Sequence, residues 1–125
     1  MPLPKRKKKI RRVSRAVISI SKILTDLGVE FIREHRFINC RNVLPLPFDF
    51  YLPLHGACIE FDGAFHFKPL PTLDGEAKLA RCQKHDLIKD NYCIEHGFPL
   101  LRITYLQTRG LKKRVTQFIK ELEQC

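Results

Sequence analysis

Two neighbouring segments with a period-two pattern constrain this chain most. In the first, Phe48, Phe50 and Leu52 alternate with Asp49 and Tyr51; in the second, Ala57, Ile59 and Phe61 alternate with Cys58, Glu60 and Asp62. Successive side chains on a strand point to opposite sides of a sheet, so each segment reads as a strand with one apolar and one polar face. Pro53-Leu54-His55-Gly56 joins them as a four-residue hairpin connection. A hairpin symmetric about Leu54 and His55 sets Asp49 opposite Glu60 and Pro47 opposite Asp62. Phe48, Phe50, Leu52, Ala57, Ile59 and Phe61 then build the core from the other face.

Directly opposed residues have Cβ atoms about 4.5–5.5 Å apart, and like charges placed that way are destabilising. Asp49, Glu60 and Asp62 on one face therefore point to a hard cation. Mg²⁺ takes oxygen ligands, often one or two carboxylates together with substrate phosphate. The bland alternative is a solvated face, because one residue of register slip would disperse the acids. Gly63 lets the chain bend after Asp62. His66 follows three residues later, close enough to act as general base or metal-site partner, although a lone histidine is more often structural.

The remaining segments supply a frame for this hairpin. Val13, Val17, Ile20, Leu24 and Leu27 recur at helical spacing, with Gly28 as a stop. Val29 to Ile38 reads as a strand and Asn39 to Leu46 as a turn-rich connection. Lys68 to Lys78, with Pro69, Pro71 and Gly75, reads as a loop. Leu79 to His96 is predicted helical and stops at Gly97. Its Gln83, Asp86 and Asp90 share one face, with Lys89 one turn from Asp86; such positions are usually solvated. Pro99 to Thr104 is a short buried strand, and Leu111, Val115, Phe118, Ile119 and Leu122 mark a last amphipathic helix. The predicted order is α-β-β-β-α-β-α, a mixed β-sheet flanked by helices on both faces.

The net charge of +10 is concentrated at the start. Residues 1–15 hold eight basic side chains and no acid, while the rest of the chain is only +2. A basic arm over residues 1–12 ahead of one domain over 13–125 is the expected organisation. Lys5, Arg6, Lys7, Lys8, Lys9, Arg11 and Arg12 would neutralise phosphates without reading sequence. A nuclear-localisation signal, an anionic membrane surface and a solvated tail are the competing readings of that arm. With 44% hydrophobic and 29% charged residues the chain is globular rather than disordered. No apolar run approaches the roughly 20 residues of a membrane span, and no secretory signal pattern follows the basic start. Five cysteines, an odd number, read as reduced thiols in an intracellular protein of cytoplasm or nucleus. Cys82-x-x-His85 and Cys93-x-x-His96 have the look of zinc ligands. On one continuous helix, however, Cys82 and His96 stand about 21 Å apart, too far for one tetrahedral ion.

Pro47-Phe48-Asp49-Phe50-Tyr51 followed by Ile59-Glu60-Phe61-Asp62-Gly63-Ala64-Phe65-His66-Phe67 resembles the core motif of the PD-(D/E)XK (restriction-endonuclease-like) nuclease superfamily. The nearer likeness is to the branch similar to very-short-patch-repair endonucleases and EDxHD homing endonucleases. Asp86-Leu87-Ile88-Lys89-Asp90-Asn91-Tyr92-Cys93 and Phe98-Pro99-Leu100-Leu101-Arg102-Ile103 resemble the family's downstream helix and strand, so the likeness spans roughly residues 14–105. It implies a restriction-endonuclease-like α/β fold and a DNA endonuclease that hydrolyses phosphodiester bonds with Mg²⁺ or Mn²⁺. On that resemblance Asp49 matches a metal-ligating strand aspartate, His66 the catalytic histidine, Asp86 the downstream acid, and Glu60 and Asp62 the E-x-D segment. Asp62 stands where the wider superfamily has a lysine, and Lys89 would supply that positive charge. One element departs from the pattern. The family's first-helix glutamate, in a segment like S-x-G-E, is replaced: Ser14-Arg15-Ala16-Val17 occupies that segment with Val17 at the acid's place, and Glu30 and Glu34 lie off the expected turn. The runner-up expectation is therefore a non-catalytic module of the same fold that binds nucleic acid or docks in a larger assembly. Expected partners are DNA, or else RNA or a protein, and no membrane. Double-strand cutting would need a dimer or two separate events.

Overall fold

The computed structural model describes residues 13–124. Helix α1 (Arg15–Asp26) is followed by strands β1 (Ile32–Arg41), β2 (Pro45–Leu52) and β3 (Ala57–Asp62), helix α2 (Gly75–His96), strand β4 (Leu100–Thr104) and helix α3 (Leu111–Glu123). Short 3₁₀ turns at Ala64–His66 and Tyr105–Gln107 follow β3 and β4. The strands form one mixed sheet in the order β1-β2-β3-β4. The two hairpin pairings are antiparallel, and β4 lies parallel to β3 after the α2 crossover. Expected basic-arm residues Lys5, Arg6, Lys7, Lys8, Lys9, Arg11 and Arg12 lie outside the described residues.

Helices cover both faces, and β3 is buried from both sides. Val17, Ile20 and Leu24 of α1 and Leu111, Val115 and Ile119 of α3 pack with Phe50, Leu52, Ala57 and Ile59. On the other side Cys93 of α2 packs with Cys40, Phe48 and Cys58. The polar face expected on β3 is not the solvated surface of the alternative reading: Cys58, Glu60 and Asp62 are buried on the side that α2 covers.

The hairpin register is the expected one. Phe50 pairs with Ile59 and Leu52 with Ala57. Beyond Phe50 the backbone ladder gives way to side chains: Glu60 Oε1 accepts from the Asp49 N–H at 2.7 Å, and Asp49 Oδ2 accepts from the Phe61 N–H at 2.7 Å. Here β2 departs from simple alternation. Phe48, expected beside Phe50, packs in the α2-side cluster, with its ring centroid 5.6 Å from that of Phe37.

Three boundaries differ from the sequence reading. β1 begins and ends three residues later than Val29 to Ile38, and a register irregularity between Arg36 and Arg41 carries it into the turn. α2 starts at Gly75, inside the expected loop. Gly75 is buried against the Leu70 carbonyl, where any Cβ would collide, so the proline-containing segment ends in a close backbone approach from which the helix departs. At its far end Gly97 adopts φ +68°, and the Phe98 N–H reaches the Cys93 carbonyl at 2.8 Å, a glycine-capped stop. β4 begins at Leu100 and is half-buried except for Ile103, which is fully buried.

Candidate functional site

Three elements converge at the β3 end of the sheet. β3 contributes Glu60 and Asp62, the following 3₁₀ turn contributes His66, and α2 contributes Asp86, Lys89 and Asp90. The chain leaves β3 through Gly63, whose φ of −70° and open surroundings do not require a glycine, and the 3₁₀ turn that follows brings His66 within 3.7 Å of Asp62 Oδ1. The His66 Nδ1 meets Asp86 Oδ2 at 2.8 Å. Asp62, His66 and Asp86 thereby form a group whose candidate ligand atoms all lie within 4.8 Å of one another. Among the described residues this is the one group of three or more His, Cys, Asp or Glu close enough to share an ion.

Arg102, from the middle of β4, holds this group together. Its Nη1 donates to both oxygens of Asp62, at 3.0 and 3.3 Å. Its Nε donates to Asp90 Oδ1 at 2.8 Å, and its Nη2 to the Asp86 carbonyl at 3.1 Å. Sequence reasoning passed over Arg102. The signal that could have found it was a single charge inside the apolar run Leu100-Leu101-Arg102-Ile103, in a strand that must pair with the acid-bearing β3.

Glu60 and Asp49 stand apart from the group. Glu60 Oε2 accepts from Lys89 Nζ at 3.0 Å, and both side chains are buried. Lys89 also lies 5.6 Å from the centre of the Phe48 ring. Asp49 borders a separate shallow depression with Ser14, Val17, Glu34 and Gly63. The expected set of Asp49, Glu60 and Asp62 is thus divided: Asp62 joins His66 and Asp86, Glu60 is paired with Lys89, and Asp49 binds the β3 backbone.

Burial and charge tune each group. Burial and the nearby Asp49 carboxylate push the Glu60 carboxyl up to about 7, against the opposing pull of Lys89 and the Asp49 N–H. Burial raises Asp62 despite Arg102. The bond to Asp86 raises His66, and burial opposes it. Burial pushes Asp86 up, but its bond to His66 and the charges of His66, Arg102 and Lys89 together hold it below the ordinary carboxylate value. Asp86 therefore stays a carboxylate and favours the Nδ1–H tautomer of His66, which leaves Nε2 as the basic nitrogen.

Two carboxylates and an imidazole make a donor set suited to a divalent cation. Asp86 Oδ1 is 3.7 Å from Arg102, beyond hydrogen-bond range, and keeps lone pairs for a ligand. Asp62, His66 and Asp86 are thus a group of acids and histidine that could hold a metal ion. The zinc alternative fails on geometry: α2 runs unbroken through Cys82, His85, Cys93 and His96.

His66 and Asp86 border an open groove of about 490 Å³ between the β1–β2 turn and α2. Among its lining residues Arg36, Arg81 and Lys89 are cationic and Asp86 is the one carboxylate. No helix among the described residues is long and apolar enough to cross a membrane. No family model, curated protein or solved structure matches the chain.

Proposed function

We propose that the chain is a metal-dependent nuclease of the restriction-endonuclease-like kind, which hydrolyses phosphodiester bonds. The observation that carries this reading is the 2.8 Å bond between His66 and Asp86 beside a cation-lined groove, with Asp62 completing the group. Asp86 orients the imidazole and keeps its far nitrogen basic, so His66 can take a proton from an attacking water. Asp62 and Asp86 would hold a Mg²⁺ or Mn²⁺ ion, whereas Asp49, the ligand that the resemblance implies, stands apart with Oδ2 bonded to β3. When bound, such an ion polarises the phosphate and lowers the pKa of water. Lys89 and Arg102 offset the charge of the acids, so that a polyanion can approach.

Plasmid nicking in Mg²⁺, Mn²⁺ and EDTA tests the reading. His66→Ala and Asp86→Asn should each abolish nicking while circular dichroism shows the chain still folded, and EDTA should stop the native chain. Undiminished nicking by His66→Ala or in EDTA would sink it.

A second reading, a binding module without catalysis, is favoured by Val17. It is buried in the α1 core, so the position matching the family's helix acid offers no ligand. Absence of nicking with every metal, alongside retained nucleic-acid binding, would make this the better account.

A further inference from the structure

The groove beside His66 and Asp86 has two unlike walls. One is the turn between β1 and β2, where Val43 is 79% and Leu44 68% exposed. The other is α2, which presents the exposed Arg81 and the half-buried His85. The turn is braced from within its own hairpin: Arg41 Nη2 donates to the Val43 carbonyl at 3.1 Å, and Arg36 donates to the Pro45 carbonyl. Two apolar side chains are thereby held out in water beside cationic groups. Asn42 of the same turn meets His85 of α2 at 3.2 Å, so the two walls are joined across the groove.

Space, polarity and charge together limit what can enter. A volume of about 490 Å³ falls at the size of one small-molecule pocket, about 300–1,000 Å³. A paired duplex hides the faces of its bases in the stack and offers phosphates and the edges of its bases. An unpaired nucleotide offers both an apolar base face and flanking phosphates; single-strand grooves combine a cationic track with an apolar platform, and here Val43 and Leu44 stand where such grooves use aromatic rings.

We propose that the groove holds an unpaired nucleotide, its base against Val43 and Leu44 and its phosphates on Arg36 and Arg81, so that single-stranded or locally melted nucleic acid is preferred over fully paired duplex. This rests on the nuclease reading for its substrate class and goes beyond it in strand structure. A bulge, flap or loop would bring the scissile phosphate to His66, whereas perfect duplex would have to open first.

Binding of fluorescent oligonucleotides to the full chain in EDTA tests the idea without cleavage. The probes are a single strand, its perfect duplex, and the duplex with an unpaired bulge, each in deoxyribo and ribo form to identify the sugar. The single strand and the bulge should bind roughly tenfold tighter than the duplex at equal salt. Leu44→Asp, at an exposed position where folding is little affected, should bring the ratio to within about twofold, as should Arg81→Glu. Equal affinity for single strand and duplex, or a ratio unchanged in Leu44→Asp, would overturn the proposal. Because the readout needs no metal, loss of the strand preference and failure of hydrolysis are separate outcomes.

Discussion

Asp49 and Glu60, opposed across β2 and β3, are linked through the backbone: the Asp49 N–H is held at 2.7 Å by Glu60 Oε1, while Asp49 Oδ2 binds the next residue, Phe61. The two carboxylates thus replace ladder hydrogen bonds where the strands part. Asp49→Ala should leave the half-buried Phe61 N–H without its acceptor, at a cost of about 1–3 kcal/mol. Asp49→Asn keeps an oxygen acceptor and should lose far less. Urea titration of the two variants checks this; equal stability of Asp49→Ala and the native chain would refute it.

Stability should decline from mildly acidic to neutral pH. Glu60 holds its proton up to about 7 in the folded chain against an ordinary 4.5. Its contribution is fully present below the unfolded value and is lost as pH rises through about 7. His66, also raised, adds stability that is present below its unfolded value and is lost as pH rises past its folded one. Asp86, lowered, acts in reverse and gives up its contribution as pH falls below the ordinary carboxylate value. Unfolding midpoints of Glu60→Gln between pH about 5 and 8 should vary less than those of the native chain.

Arg102 should be the most sensitive polar position of the site. Arg102→Met leaves Asp62, Asp86 and Asp90 close together without their shared cation, at a cost on the order of 3 kcal/mol. The side chain is 21% exposed, which keeps the cost below that of a fully buried pair. Arg102→Lys should recover only part, because one ammonium cannot reach three partners as a planar fork does. Added Mg²⁺ or Mn²⁺ should raise the melting temperature of Arg102→Met more than that of the native chain, since the ion would take the place of the missing charge. No metal-dependent difference would argue against a cation site at Asp62 and Asp86.

Deleting residues 1–12 should weaken binding to all sequences alike. The log–log salt slope should fall by up to about 0.9 for each duplex phosphate that the arm no longer neutralises. Turnover at saturating substrate should persist, because the expected metal ligands lie elsewhere. Identical salt slopes for full and truncated chains would assign the arm to targeting instead.

Sequence alone determined the elements and the hairpin register. Period-two and helical apolar spacing are local, and Pro53-Leu54-His55-Gly56 leaves little freedom for a slip, so Phe50 meets Ile59 as the pattern requires. The partition of the acids was decided by tertiary structure. Strand alternation predicts which side a carboxylate leaves but not whether it turns to a metal, a backbone N–H or a cation from another element. Glu60 went to Lys89 because α2 covers that face, and Asp62 to Arg102 because β4 adds alongside β3. His66 met Asp86 across twenty residues of chain for the same reason. Such pairings depend on the packing of α2 and β4 against the sheet, and charge partners brought together by packing leave no period in a sequence.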